Sequence, residues 1–304
     1  FFHGRLVRNP TEKGLLGKNR LFQPNRSGHS MQFDVLYNNG SGLYLASFDP
    51  DQYAKRYLLE ASPAGGLKWA LFNIPDNMRR VPQNWRMPYR AGFRTFRGDW
   101  YDGCMIYREW ALKQYWSAGG PLATRDNIPR WFKEIGEWFQ FGSPDIRSKF
   151  DFMEKFYGEF KGYNLGAWLT HWGLDNTVFH GMNPERFPLT ETDRKAFAYF
   201  KERRIPVMGY IQCTSWNDAT ESYRKHPDAD ANLVRNYYGQ KLKWINKSGH
   251  DGQELIAYPG ELWRQVLGDA VVRMAEAGFS AVYLDSGNHG GTYLNFTPAC
   301  CDES

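Results

Sequence analysis

Asp285 is the residue best placed to carry chemistry. It ends Phe279-Ser280-Ala281-Val282-Tyr283-Leu284, a nearly unbroken apolar run. It is therefore the first position there at which a carboxylate can reach water instead of burying its charge. His289 follows four residues later. Other strand-like runs end in His171-Trp172, in Gln212-Cys213-Thr214-Ser215-Trp216 and in Tyr258-Pro259. If these runs are parallel strands, their ends ring one mouth, with one carboxylate among aromatic and hydrogen-bonding side chains. Glycoside hydrolysis asks for such a set: a carboxylate facing the anomeric carbon, a second carboxyl for the leaving oxygen, and a wall for the sugar ring. Asp285 is the expected catalytic residue, with Trp172, Gln212, Trp216, Tyr258 and His289 as expected substrate contacts. Each has a plainer role. Asp285 could cap a helix or hold the glycine-rich loop after it, His289 could pack a loop, and the tryptophans could be core.

Other chemistries lack their residues. Asp285 and His289 are too few for a catalytic zinc, which usually takes three protein ligands. No G-x-S-x-G elbow marks a serine hydrolase. No G-x-G-x-x-G or P-loop opens a helix. Neither a metal nor an organic cofactor is expected.

The composition agrees with a carbohydrate partner. Twelve Trp, 18 Tyr and 21 Phe make 17% of the 304 residues. Most must be core, but flat rings with polar edges also suit the apolar face of a pyranose. The net charge of +5 is spread without a run of like charges, which argues against a nucleic-acid surface. No apolar stretch is long enough for a membrane span. The four cysteines (Cys104, Cys213, Cys300 and Cys301) form neither a disulfide framework nor a C-x-x-C zinc site.

The elements that must position Asp285 follow from periodicity. Asn39-Gly40 marks a tight hairpin between Met31–Tyr37 and Gly42–Phe48. Leu67–Phe72 reads as another strand, so residues 1–98 are expected to form an antiparallel β-sandwich that lacks its beginning. A helix is predicted over 99–116, capped by Asp99 with Asp102 at its third position. Glycines and prolines make 117–142 a linker with short structure, and 99–160 as a whole a helical linker region. A strand–helix rhythm occupies 161–304. Strands are expected at Leu165–Thr170, Ile205–Ile211, Glu254–Tyr258 and Phe279–Asp285. Between them, Thr190 caps one helix with Asp193 three residues on, and Leu262, Trp263, Val266, Leu267, Ala270, Val271 and Met274 stripe another. Strand–helix alternation with buried strands means a parallel sheet. A full barrel needs roughly 250 residues, so these four strands are expected to be the first half of a (β/α)8 barrel.

The stretch Gly98-Asp99-Trp100-Tyr101-Asp102-Gly103-Cys104-Met105-Ile106-Tyr107-Arg108-Glu109-Trp110-Ala111, then Gly120-Pro121-Leu122-Ala123-Thr124-Arg125, resembles a largely uncharacterised family of bacterial glycoside-hydrolase-like proteins. More distantly, it resembles barrel glycosidases such as α-galactosidases and endo-α-N-acetylgalactosaminidases. Ala281-Val282-Tyr283-Leu284-Asp285 resembles their fourth-strand motif, which ends in a nucleophilic Asp. The resemblance implies a β-sandwich before a TIM barrel, a retaining mechanism, and an acid/base carboxylate on a later strand, beyond Ser304. Here His289-Gly290-Gly291 precedes Cys300-Cys301-Asp302, a different order from the family's. The expected function is retaining hydrolysis of an O-glycosidic bond in a polysaccharide or glycan. The alternative is a non-catalytic carbohydrate-binding protein on a degenerate barrel. An extracellular or periplasmic location is expected, because polysaccharides lie outside cells.

Overall fold

The computed structural model describes residues 21–22, 31–53, 55–61, 66–75, 84–141, 155–156, 158–160, 162–170, 172–173, 186–243, 252–257, 260–285 and 295–297. The chain divides into two compact units, Phe1–Asn127 and Ile128–Ser304.

Among its described residues the first unit holds six strands, β1 (Leu21–Phe22), β2 (Phe33–Asn38), β3 (Ser41–Phe48), β4 (Lys55–Ala61), β5 (Leu67–Asn73) and β6 (Arg90–Arg97). They form two antiparallel sheets, ordered β1-β4-β5 and β2-β3-β6. The predicted hairpin joins β2 to β3. Asn39 and Gly40 both take positive φ, 46° and 82°, as a type I′ turn requires. Side chains of the two sheets meet. The Trp69 indole on β5 donates to Asp34 on β2 at 2.7 Å, and the Tyr57 hydroxyl on β4 shares a hydrogen bond with Ser47 on β3. Beside them Lys55 and Asp49 form a fully buried ion pair. Burial disfavours the charged amine and lowers the Lys55 pKa, against the pull of Asp49.

Helix α1 (Trp100–Ala111) starts as its sequence predicts. Asp99 accepts from the Tyr101 amide at 2.8 Å, and Asp102 accepts from the Asp99 amide at 2.9 Å, a reciprocal capping box. The helix packs on β2, β3 and β6. Tyr107 stacks on Phe33 at 4.9 Å, and Trp110 meets Phe48 edge-on. Gly103 is buried at the closest approach, where an added Cβ would lie 2.4 Å from Val35 Cγ2.

Among its described residues the second unit has four parallel strands, β7 (Glu137–Phe141), β8 (Leu165–Leu169), β9 (Val207–Gln212) and β12 (Ala281–Asp285), in the order β12-β9-β8-β7. Short helices α2 (Arg130–Lys133) and α4 (Glu221–Lys225) and longer helices α3 (Glu191–Glu202) and α5 (Glu261–Glu276) accompany them. The Thr190–Asp193 capping box opens α3. One sheet face packs on α3 and α5, where Ala167, Leu169, Val207 and Ile211 meet Phe200 and Met274. Strand side chains alternate, so Trp168, Tyr210, Tyr283 and Asp285 share the opposite face. Ring contacts agree, with Trp168–Tyr283 at 4.6 Å and Tyr210–Tyr283 at 6.0 Å.

Two expectations about this unit are corrected. Residues 137–141 lie in the expected linker but form β7, the first strand of the sheet in chain order. The strand expected over Glu254–Tyr258 is not parallel where it is described, at 254–257. Instead β11 (Glu254–Ile256) pairs antiparallel with β10 (Ser215–Asn217), outside the parallel sheet. The unit is therefore not purely parallel, as the sequence leads one to expect. Asp285 nevertheless ends the fourth described strand of the sheet in chain order. Among the described residues, no helix is long and apolar enough to cross a membrane.

Candidate active site

Asp285 is the last residue of β12 and pairs in register with Gln212, the last residue of β9. Its main-chain oxygen accepts from the Cys213 amide at 3.0 Å, which fixes the strand end. Its side chain is partly exposed. Carboxylate Oδ2 accepts a hydrogen bond from the Tyr210 hydroxyl at 2.6 Å. Tyr210 comes from the neighbouring strand, two residues below Gln212 and on the same face.

The electrostatics hold Tyr210 as a donor. Burial, then the hydrogen bond and charge of Asp285, push its phenol well above the ordinary range, so it keeps its proton. The Arg186 guanidinium opposes this rise. It lies 6.0 Å from the Tyr210 ring and 5.4 Å from that of Trp172, and it donates to the Trp172 carbonyl at 3.3 Å. The Cys213 thiol beside the strand end is pushed up to about 11, by burial first and the Asp285 charge second. The site thus combines one carboxylate, one protonated phenol and one buried cation behind it.

The expected substrate contacts divide. Gln212 stands beside Asp285 on the neighbouring strand, but it is buried, and its Oε1 accepts from the Thr214 amide at 3.0 Å and hydroxyl at 3.1 Å. Trp172 is 1% exposed and packs against Phe187 and Phe279 in the helix-side core, its indole donating to the Tyr210 carbonyl. Trp216 is 0% exposed, packed against Trp263 and Tyr223. Neither ring has a face left for a sugar, because each closes a hydrophobic layer instead. Tyr258 and His289 lie outside the described residues. Sequence reasoning missed Tyr210 and Arg186. Tyr210 could have been found from alternation, since a residue two before a strand end shares its face. Arg186 lies in a segment with no periodic signal.

A family model described as a domain of unknown function (DUF6259) matches residues 85–304. No curated protein matches the sequence. Solved structures do. An α-N-acetylgalactosaminidase of Bifidobacterium bifidum in complex with Gal-NHAc-DNJ aligns with a TM-score of 0.62 at 15% identity, covering 86% of this chain and 44% of that one. A quadruple mutant of the same enzyme aligns at 0.65 and 15%, covering 91% and 49%. An α-galactosidase of Thermus thermophilus aligns at 0.45 and 14%, covering 91% and 48%. The chain thus spans about half the length of the solved structures it matches. The resemblance to barrel glycosidases read from the sequence holds, at the level of fold.

Proposed function

The chain belongs to the family described as DUF6259, and we propose that it carries the nucleophile of a retaining glycoside hydrolase acting on a polysaccharide or glycan. In this reading the four parallel strands are half of a (β/α)8 barrel, and the two antiparallel sheets of the first unit are a sandwich before it. The reading rests on one observation: Asp285 ends the parallel strand β12 on the face away from the helices, with Oδ2 held by Tyr210 at 2.6 Å.

The chemistry follows from that hold. A charge-assisted hydrogen bond to one carboxylate oxygen fixes the plane of the group and leaves Oδ1 for attack. Oδ1 bonds to the anomeric carbon as the glycosidic oxygen leaves and takes a proton from a second carboxyl. In a retaining site that carboxyl stands about 5–5.5 Å from the nucleophile. Water then cleaves the glycosyl ester, giving up its proton to the same carboxyl. Rings that meet the glycan would come from the open sheet face and its loops, not from Trp172 or Trp216. A glycan-degrading enzyme would work outside the cell or in the periplasm.

The test is Asp285→Asn in the full-length protein, assayed on aryl glycosides that include α-N-acetylgalactosaminide and α-galactoside. Loss of about 4–7 kcal/mol of transition-state stabilisation slows turnover by about three to five decades. Binding changes far less, because the charge matters mainly in the transition state. A variant that keeps more than about a tenth of the wild-type rate, a loss under ~1.4 kcal/mol, rules out the nucleophile role. A collapse of the thermal midpoint would mean that Asp285 holds the loop instead.

A further inference from the structure

Residues 213–243 and 252–257, between the C-terminal end of β9 and the start of α5, build a small structure of their own. β10 and β11 pair, and Leu233 bridges Ala257 while Lys243 bridges Leu255. The layer beneath is closed by Trp216, Trp263 and Val266. A turn at 236–240 projects from it. Its two central tyrosines, Tyr237 and Tyr238, are 71% and 82% exposed. Single exposed rings need no explanation, but adjacent ones on a stiff support suggest contact with a partner.

The support is stiff. The Asn236 side-chain oxygen accepts from the Tyr238 and Gln240 amides, both at 3.0 Å, and its amide group donates to the Gln240 side chain at 2.9 Å. Arg235 donates to the Gly239 carbonyl at 3.0 Å, and Arg235 and Lys241 both pair with Asp230. The segment after β12 is tied to the same turn. The Phe296 amide donates to the Arg235 carbonyl at 3.0 Å, the Arg235 amide to the Asn295 side chain at 3.2 Å, and the Tyr237 ring meets Phe296 edge-on at 5.6 Å. β9 and β12 are neighbouring parallel strands, so the C-terminal end of β9, from which this structure continues, lies at the same end of the sheet as Asp285.

We propose that the Tyr237–Tyr238 turn is a carbohydrate subsite that stacks a pyranose ring of the glycan, beyond the ring attacked at Asp285. This rests on the reading of Asp285 as a glycosidase nucleophile. A tyrosine offers an apolar face to the ring and a hydroxyl to its edge. Because the turn is already ordered, little conformational entropy is lost on binding. The cations around it are engaged with Asp230, which favours a neutral sugar over an anionic group.

The experiment uses the full-length protein carrying Asp285→Asn, so that glycans bind without being cleaved. Its binding to an array of oligosaccharides of three or more sugars, and to the corresponding monosaccharides, is compared with that of a variant that also carries Tyr237→Ala and Tyr238→Ala. The expected result is oligosaccharide binding weakened about tenfold or more by the tyrosine changes, with monosaccharide binding unaltered and Tyr→Phe versions restoring it. Equal oligosaccharide binding by both proteins overturns the subsite and leaves the glycosidase reading standing. Equal weakening of oligosaccharide and monosaccharide also overturns it, since the turn would then act on the whole site. If the Asp285→Asn protein binds no glycan of either length, the carbohydrate reading itself fails.

Discussion

Asp285 and Tyr210 come from neighbouring parallel strands, and a 2.6 Å hydrogen bond joins them. Hydrogen bonds to charged groups contribute roughly 1.5–3 kcal/mol. Tyr210→Phe removes the donor and little volume, so kcat should fall by about ten- to a hundredfold, while the thermal midpoint moves little. An unchanged kcat would mean that the bond does not hold Asp285 for the proposed attack. Cys213 offers a reporter that needs no substrate. Its thiol is pushed up to about 11, partly by the Asp285 charge. Asp285→Asn removes that charge, which favours the thiolate and lowers the thiol pKa. Alkylation at mildly alkaline pH should therefore speed up about two- to tenfold, because the thiolate is the reacting form. An unaltered rate-against-pH curve would place the two groups out of electrostatic contact. The place of Asp285 at the end of a strand was legible because a carboxylate that closes an apolar run marks where the strand stops. Trp172 and Trp216 were misread because a tryptophan after a strand looks the same whether its ring turns to the mouth or into the helix layer. Only packing against Phe279 or Trp263 decides that.

At the scale of elements, the helix starts were legible because capping is local. Both boxes, Asp99–Asp102 and Thr190–Asp193, form. Asp99→Ala should cost about 1 kcal/mol in denaturant unfolding of the first unit. A cost near zero would show that the cap is idle. Gly103 weakens α1 by propensity, yet its absent side chain is what lets the helix meet Val35. Gly103→Ala should therefore destabilise by about 1–3 kcal/mol despite the gain of up to ~1 kcal/mol in helix propensity. A stabilised variant would contradict the close approach. The strands were less legible. β7 is five residues long and follows a segment of glycines and prolines, so local signals read as linker. β11 is three residues long, and nothing in a short apolar run fixes its partner, which turned out to be β10. Short strands are assigned by tertiary pairing, which a single sequence does not display.

At the scale of the molecule, buried tyrosines set a limit on alkaline stability. Burial raises the pKa values of Tyr44, Tyr57 and Tyr89 in the first unit and of Tyr210 in the second. The ordinary phenol value is about 10. Above that pH the unfolded chain loses protons that the folded chain keeps, so stability falls as pH rises. Stability carried by these groups should be fully present below about pH 10 and lost above it. A phenolate absorbance titration should show these rings ionising together with unfolding. Gradual ionisation in a folded protein would contradict their burial. The fold class was legible as β strands followed by a parallel βα unit, because hydrophobic period reports it. Closure of a barrel was not, because it depends on pairing between strands far apart in sequence.

If Asp285 forms the covalent bond to sugar, the glycosyl-enzyme can be trapped. The full-length protein is incubated with a slow fluorinated glycoside of whichever sugar it cleaves, then digested and mapped by mass spectrometry. The expected result is one glycosylated peptide, the one containing Asp285, and no adduct in Asp285→Asn. An adduct on another carboxylate, or turnover with inverted anomeric configuration and no adduct, would contradict it.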